Sequence, residues 1–210
     1  MTAALDRPLR RYVALGDSLS AGVDGDTPWP DLAAAELRRD APELRFRNFA
    51  RVGVTSALVA SDQLPGALAL RPDLVSLVCG ANDVLLSVRP DERAFGRALA
   101  AMLARSGHAA PGALVVTATY PPVAPGWLGP RTQRRIVDGM LRFNESIRAA
   151  AAARGALCLD WQDRDEAAAE QNLARDGFHP SPHGHRLAAG AFVAAVGAAL
   201  GRPTTRSDVP

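Results

Sequence analysis

Five short apolar runs recur along the chain, separated by longer segments in which apolar residues return at helical spacing. The clearest run spans 73–79, and its near-continuous apolar character is typical of a strand buried on both faces of a sheet. Alternation of such strands with helices predicts an α/β fold with a parallel sheet covered on both sides. The predicted strands are about 11–15, 44–49, 73–79, 113–119 and 156–160. Predicted helices open at Trp29-Pro30 and then span about 56–69 (interrupted by Pro65), 91–105, 131–153, 163–173 and 183–200.

The chain ends are predicted to lie outside this alternation. Residues 1–10 are expected to be a loose lead-in, and 201–210 a disordered tail. The 210 residues suit one domain, predicted over 11–200, because no internal repeat or long linker divides the chain.

Composition narrows the class of protein further. The chain is 48% hydrophobic and 22% charged, as in ordinary globular proteins. Its basic residues are all arginine and are scattered among the acids, so we expect no nucleic-acid partner, and chemistry that needs lysine is excluded. Cys79 and Cys158 lie in apolar runs and are predicted to be buried free thiols. Without an apolar leader or a membrane-spanning run, we expect a cytoplasmic monomer or small homo-oligomer with no membrane span.

Four polar loops carry the candidate chemistry. Ser18 follows the first predicted strand in Gly16-Asp17-Ser18-Leu19-Ser20, Gly53 follows the second, and Asn82 follows the third in Gly80-Ala81-Asn82-Asp83. The fourth loop, Asp176-Gly177-Phe178-His179-Pro180, precedes the last helix. Carboxyl-end loops of a parallel sheet converge on one edge, so we expect these residues to meet there.

The residue types in these loops suit acyl transfer. Ser18 offers a nucleophile, His179 a base that changes charge near neutral pH, and Asp176 a carboxylate to orient the imidazole. Gly53 can bring a backbone N–H close to a ligand, and Asn82 carries a side-chain N–H donor, so both are candidate oxyanion donors.

These four blocks, in this order, resemble those of the SGNH hydrolases of the GDSL esterase/lipase group. The resemblance spans about residues 12–190. It implies a three-layer α/β/α, flavodoxin-like fold and a catalytic triad of Ser18, His179 and Asp176. It also implies an oxyanion hole formed by the backbone N–H groups of Ser18 and Gly53 and the side chain of Asn82. The implied activity is hydrolysis of a small-molecule ester without a cofactor.

Other residues near the loops have secondary candidate roles. Asp17 is expected to brace its own turn and Asp83 to support the serine loop. His183 and His185 are expected to begin the last helix or face solvent. A metal site with His179 is not expected, because Pro180 and Pro182 disfavour a continuous helix there. Candidates for lining a substrate pocket, each equally compatible with core packing, are Trp29, Val84, Leu85, Trp127 and Phe178.

Substrate and reaction type stay open within this chemistry. No insertion is large enough to form a lid, so we expect a shallow site for short- or medium-chain acyl or acetyl esters. A lysophospholipase or lipase, or an acyltransferase in which an alcohol replaces water, would use the same residues. A non-catalytic binding module would not require the three triad residues together. A phosphate-binding turn after the first strand lacks both glycine-rich fingerprints.

Overall fold

The computed structural model describes residues 9–23 and 25–201, and its centre is a five-stranded sheet with every strand pair parallel. The strand order is β2-β1-β3-β4-β5. All five residues of β3 are buried, which explains their near-continuous apolar sequence. The strands are β1 (Arg11–Gly16), β2 (Arg45–Asn48), β3 (Leu74–Val78), β4 (Leu114–Ala118) and β5 (Leu157–Leu159).

Helices cover both faces of the sheet and complete the predicted three-layer α/β/α fold. On one face α2 packs against α8, and on the other α6 packs against α7. The helices are α1 (Ser18–Ala21), α2 (Trp29–Leu37), α3 (Ser56–Leu58), α4 (Leu64–Ala69), α5 (Ala81–Leu85), α6 (Glu92–Gly107), α7 (Pro130–Arg154) and α8 (Pro182–Ala199).

Aromatic side chains join the layers. Phe192 of α8 lies 5.3 Å from the Tyr12 ring of β1 and 5.2 Å from the Trp29 ring of α2. On the other face Phe95 of α6 stacks on Phe143 of α7 at 4.3 Å. Each of these rings removes a large apolar area from water, so they anchor α8 to the sheet and join neighbouring helices within each layer.

Two predicted helices differ in the structure. The segment 56–69 is divided into α3, a π-helical stretch Val59–Gln63, and α4. Pro65 has no N–H to donate, and the widened turn, in which Leu64 N–H bonds to Val59 O, accommodates it at the start of α4.

The predicted helix 163–173 is wrong. Two short 3₁₀ segments, Asp165–Ala168 and Glu170–Asn172, stand in its place. The segment has no large apolar side chain before Leu173 and buries only Asn172, so it has no apolar stripe to hold a full helix against the sheet.

Cys79 and Cys158 are both free thiols, as predicted. Cys79 is buried, but the prediction of burial is wrong for Cys158, which is half-buried. The predicted lead-in and tail fall almost wholly outside the described residues. Within the described ranges, no helix is both long and apolar enough to cross a bilayer.

Candidate active site

Ser18 lies where β1 ends, as the first residue of α1. Asp17 caps this short helix, since its Oδ1 accepts a hydrogen bond of 3.1 Å from Leu19 N–H, as expected for a residue bracing the turn. Gly16 has a φ of +155°, and a Cβ there would collide with the Val78 carbonyl oxygen of β3. Glycine at this position therefore lets the serine turn lie directly against the neighbouring strand.

His179 and Asp176 approach Ser18 from the loop before α8. His179 Nε2 lies 2.9 Å from Ser18 Oγ, and His179 Nδ1 lies 2.5 Å from Asp176 Oδ2. The other carboxylate oxygen, Oδ1, accepts the backbone N–H groups of Phe178 and His179, both at 2.9 Å. The structure thus brings together, over 161 residues of sequence, the three side chains that the motifs singled out.

The Asp176 carboxylate is held in its ionised form. Partial burial raises its pKa, but hydrogen bonds from the His179 ring and from the Phe178 and His179 N–H groups outweigh burial, and the pKa lies below its usual value. An ionised carboxylate at Nδ1 keeps that nitrogen protonated, so Nε2 is the nitrogen free to accept the Ser18 proton.

Asn82, near the start of α5, is tied to the loop that carries Gly53. Asn82 Nδ2 donates a 2.9 Å hydrogen bond to Val54 O, the carbonyl that follows Gly53, and its second N–H has no acceptor among the residues that the structure describes. Gly53 has a φ of +78°, a backbone conformation that glycine adopts without strain. Among the described residues, neither Ser18 nor Gly53 uses its backbone N–H in a hydrogen bond.

Asp83 supports this same loop, and the expectation that it holds the serine loop is wrong. Its carboxylate accepts two hydrogen bonds from Ser56, one from the backbone N–H at 2.8 Å and one from the hydroxyl at 2.6 Å. Asp83 points toward the start of α3 because it is the third residue of α5, one position beyond Asn82.

Sequence reasoning missed Gln63, whose side chain holds the backbone of the nucleophile turn at Gly16. Gln63, at the end of the π-helical stretch, accepts from Gly16 N–H at 2.9 Å and donates to Gly16 O at 2.8 Å. Asn144 of α7 makes the same two-way contact with the backbone of Tyr120, at 2.8 Å in each direction. The available signal was helical spacing, since Gln63 comes four residues after Val59 and Asn144 four residues after Met140, but the backbone partners of both amides are far away in sequence.

The two additional histidines differ from each other. His183 is exposed, whereas His185 is fully buried and its Nδ1 accepts from Trp29 N–H at 3.2 Å. Both histidines lie in the first turn of α8, as expected, and His185 does so without facing solvent. Burial lowers its pKa, which keeps it a neutral acceptor. Within the described ranges, no group of three His, Cys, Asp or Glu side chains could hold a metal ion.

The five candidate pocket residues do not share one location. Trp29 and Phe178 line an apolar cavity of about 100 Å³ between the sheet and α8, together with Leu19, Pro180 and residues of β3, β4 and β5. Val84 is fully buried, and its Cγ1 lies 2.6 Å from where a Cβ on Gly139 of α7 would be, so it is a core residue. Leu85 is half-buried against the core, and Trp127 is exposed.

A parallel α/β sheet with a serine, a histidine and an aspartate at its carboxyl edge is an arrangement shared by several classes of serine hydrolase. The chain belongs to the GDSL-like lipase/acylhydrolase family, whose model matches residues 14–187. No curated protein matches it in sequence.

Solved structures share the fold. An α/β hydrolase, LAE5, from the metagenome of Lake Arreo, Spain, is 26% identical with a TM-score of 0.72, over 92% of this chain and 97% of that one. The lipase/acylhydrolase from Enterococcus faecalis is 24% identical with a TM-score of 0.74, over 90% and 95%. Axe2, an acetyl xylan esterase from Geobacillus stearothermophilus, is 19% identical with a TM-score of 0.69, over 94% and 97%.

Proposed function

We propose that the protein is a serine esterase that hydrolyses carboxylic esters through an acyl-Ser18 intermediate, with residues 11–200 as one catalytic domain. The observation that carries the proposal is the continuous chain of contacts from Ser18 Oγ through the His179 ring to Asp176. A nucleophile, a base and an orienting carboxylate at hydrogen-bond distances are the arrangement that serine hydrolysis requires.

In the first half of the reaction Ser18 Oγ attacks the ester carbonyl carbon while its proton passes to His179 Nε2. The carbonyl oxygen becomes an oxyanion, which accepts hydrogen bonds from the Ser18 and Gly53 N–H groups and from the second N–H of Asn82. The bond to the alcohol oxygen then breaks, and the proton on Nε2 moves to the departing alcohol. The product is free alcohol and acyl-Ser18.

Water completes the reaction by the same proton path. The water oxygen attacks the acyl carbon while a proton of the water passes to His179 Nε2. The oxyanion of this second tetrahedral intermediate accepts hydrogen bonds from the same three donors. Collapse breaks the bond to Ser18 Oγ, which recovers the proton from His179. The acid is released and the enzyme returns to its starting form.

We further propose a preference for short- or medium-chain acyl groups. The apolar cavity beside Leu19 and Phe178 supports this preference, because its volume of about 100 Å³ is well below the ~300–1,000 Å³ of pockets that enclose larger ligands. Its walls are nearly all apolar, which suits an alkyl group more than a sugar.

Hydrolysis of p-nitrophenyl acetate, butyrate, octanoate and palmitate tests both proposals. We expect turnover by the wild type that falls at palmitate, and no turnover by Ser18→Ala. A covalent serine-reactive phosphonate should label the wild type at Ser18 only. Equal activity of wild type and Ser18→Ala would overturn the mechanism, and highest activity on palmitate would overturn the acyl preference alone.

A further inference from the structure

The carboxyl edge of the sheet exposes large apolar side chains around the candidate site. Four of the six such side chains among the described residues lie on loops at this edge, and we call these four the site rim. Their exposed fractions are 61% for Val52, 72% for Leu86, 81% for Val88 and 68% for Trp127. Apolar residues clustered in this way mark an interaction surface.

Two loops of the site rim are each tied to α7 by hydrogen bonds. Arg135 of α7 donates to Val84 O at 3.1 Å and to Ser87 O at 2.5 Å, which holds the loop that carries Leu86 and Val88. Gln133, also on α7, donates to Leu128 O at 2.8 Å and so holds the loop that carries Trp127. The rim is therefore presented on a fixed scaffold.

A groove of positive charge adjoins the rim on α7. It is lined by Arg131, Arg134, Arg135, Asp138 and Arg142, an excess of three positive charges against a net charge of +2 for the whole chain. Arg142 is paired with Glu92 at 3.3 Å. Arg131 and Arg134 are exposed, and neither guanidinium makes an ion pair or hydrogen bond within the described ranges.

We propose that the site rim and this arginine groove dock the enzyme on the surface of a lipid bilayer that contains anionic head groups. A lipid surface supplies apolar acyl chains for Leu86, Val88 and Trp127, and phosphate groups for Arg131 and Arg134. A nucleic acid or a small soluble anion would neutralise the arginines but leave the rim exposed to water. The proposal concerns binding, so it does not require Ser18 to be catalytic.

Flotation with vesicles of phosphatidylcholine, alone or mixed with phosphatidylglycerol, tests the docking. We expect the wild type to float with the mixed vesicles at low salt, and less at high salt because ions screen the arginines. The double variant Arg131→Gln/Arg134→Gln should bind these vesicles about 25-fold more weakly, at roughly fivefold per arginine near an anionic surface. Leu86→Ser/Val88→Ser should weaken binding about tenfold or more.

Matched controls carry the same changes at the opposite, amino-terminal edge of the sheet. Arg39→Gln/Arg105→Gln removes the same charge and should bind far more strongly than the groove variant. Leu70→Ser should bind as wild type does. Melting temperatures check that every variant is folded.

Ser18→Ala should float like the wild type, which separates docking from catalysis. Failure of the wild type to float with mixed vesicles, or equal loss in the groove and control variants, would overturn the proposal. Equal binding to neutral vesicles would overturn the role of the arginines.

Discussion

Gln63 offers the sharpest test of how the nucleophile turn is held. Its buried amide both accepts from and donates to the backbone of Gly16, two residues before Ser18. In Gln63→Leu, a side chain of similar size fills the space, but the Gly16 N–H loses its acceptor. The Gly16 carbonyl keeps one partner, because Arg51 N–H also donates to it at 3.2 Å. The main cost is therefore one unsatisfied buried N–H together with a lost hydrogen bond.

That cost corresponds to a loss of about 2–3 kcal/mol of unfolding free energy. Urea denaturation measures it, and the kcat for p-nitrophenyl acetate reports whether Ser18 also moves. The control Gln171→Leu makes the same change at an exposed position and should stay within about 0.5 kcal/mol of wild type.

Gln63→Glu adds a pH dependence that a purely steric role would not produce. A protonated carboxyl can accept from Gly16 N–H and donate to Gly16 O, whereas the ionised form can only accept and places a charge in the core. We therefore expect this variant to be destabilised at neutral pH and to approach wild type as the pH falls. Loss of less than about 0.5 kcal/mol in Gln63→Leu, or a constant deficit of Gln63→Glu at every pH, would refute the reasoning.

Two further predictions concern the loops around Ser18. Asn82→Ala removes an oxyanion donor and the bond to Val54 O, so kcat should fall ~10²–10³-fold; steady-state kinetics that show only a higher KM would contradict the donor role. Burial raises the pKa of Asp17 to about 7, opposed by the Leu19 N–H, so ionising it costs folding energy. Relative to Asp17→Asn, the wild type should keep its stability below about pH 4 and lose about 4 kcal/mol as the pH rises through 7; parallel urea unfolding curves for the two proteins from acid to neutral pH would exclude this effect.

Much of the fold follows from local patterns. The apolar run 73–79 becomes the fully buried β3, and each of the five predicted strands forms with neither end moved by more than one residue. Strand existence depends on a contiguous apolar sequence, which one chain displays directly. The placement of Ser18, Gly53 and Asn82 after successive strands of a parallel sheet was sufficient to expect them at one edge.

The failures of sequence reasoning have a common physical cause. Val84 follows Asn82 by two residues, and its sequence position is compatible with either a pocket or the core. The packing of α7 against Val84 at Gly139 places it in the core. Asp83 turned out to hold Ser56, and His185 to accept from Trp29, because both side chains are directed by the helices that carry them.

By itself, the sequence determined the strands, the order of the four polar loops and the identity of the groups that carry chemistry, because these depend on neighbouring residues. Only the tertiary structure decided the strand order, the distance from Ser18 to His179, and the contacts of Gln63 and Asn144 with backbone. These contacts join residues 24 to 161 positions apart. Such pairings depend on how the layers pack. A periodic pattern along one chain does not predict which distant residue will form a hydrogen bond with a buried amide.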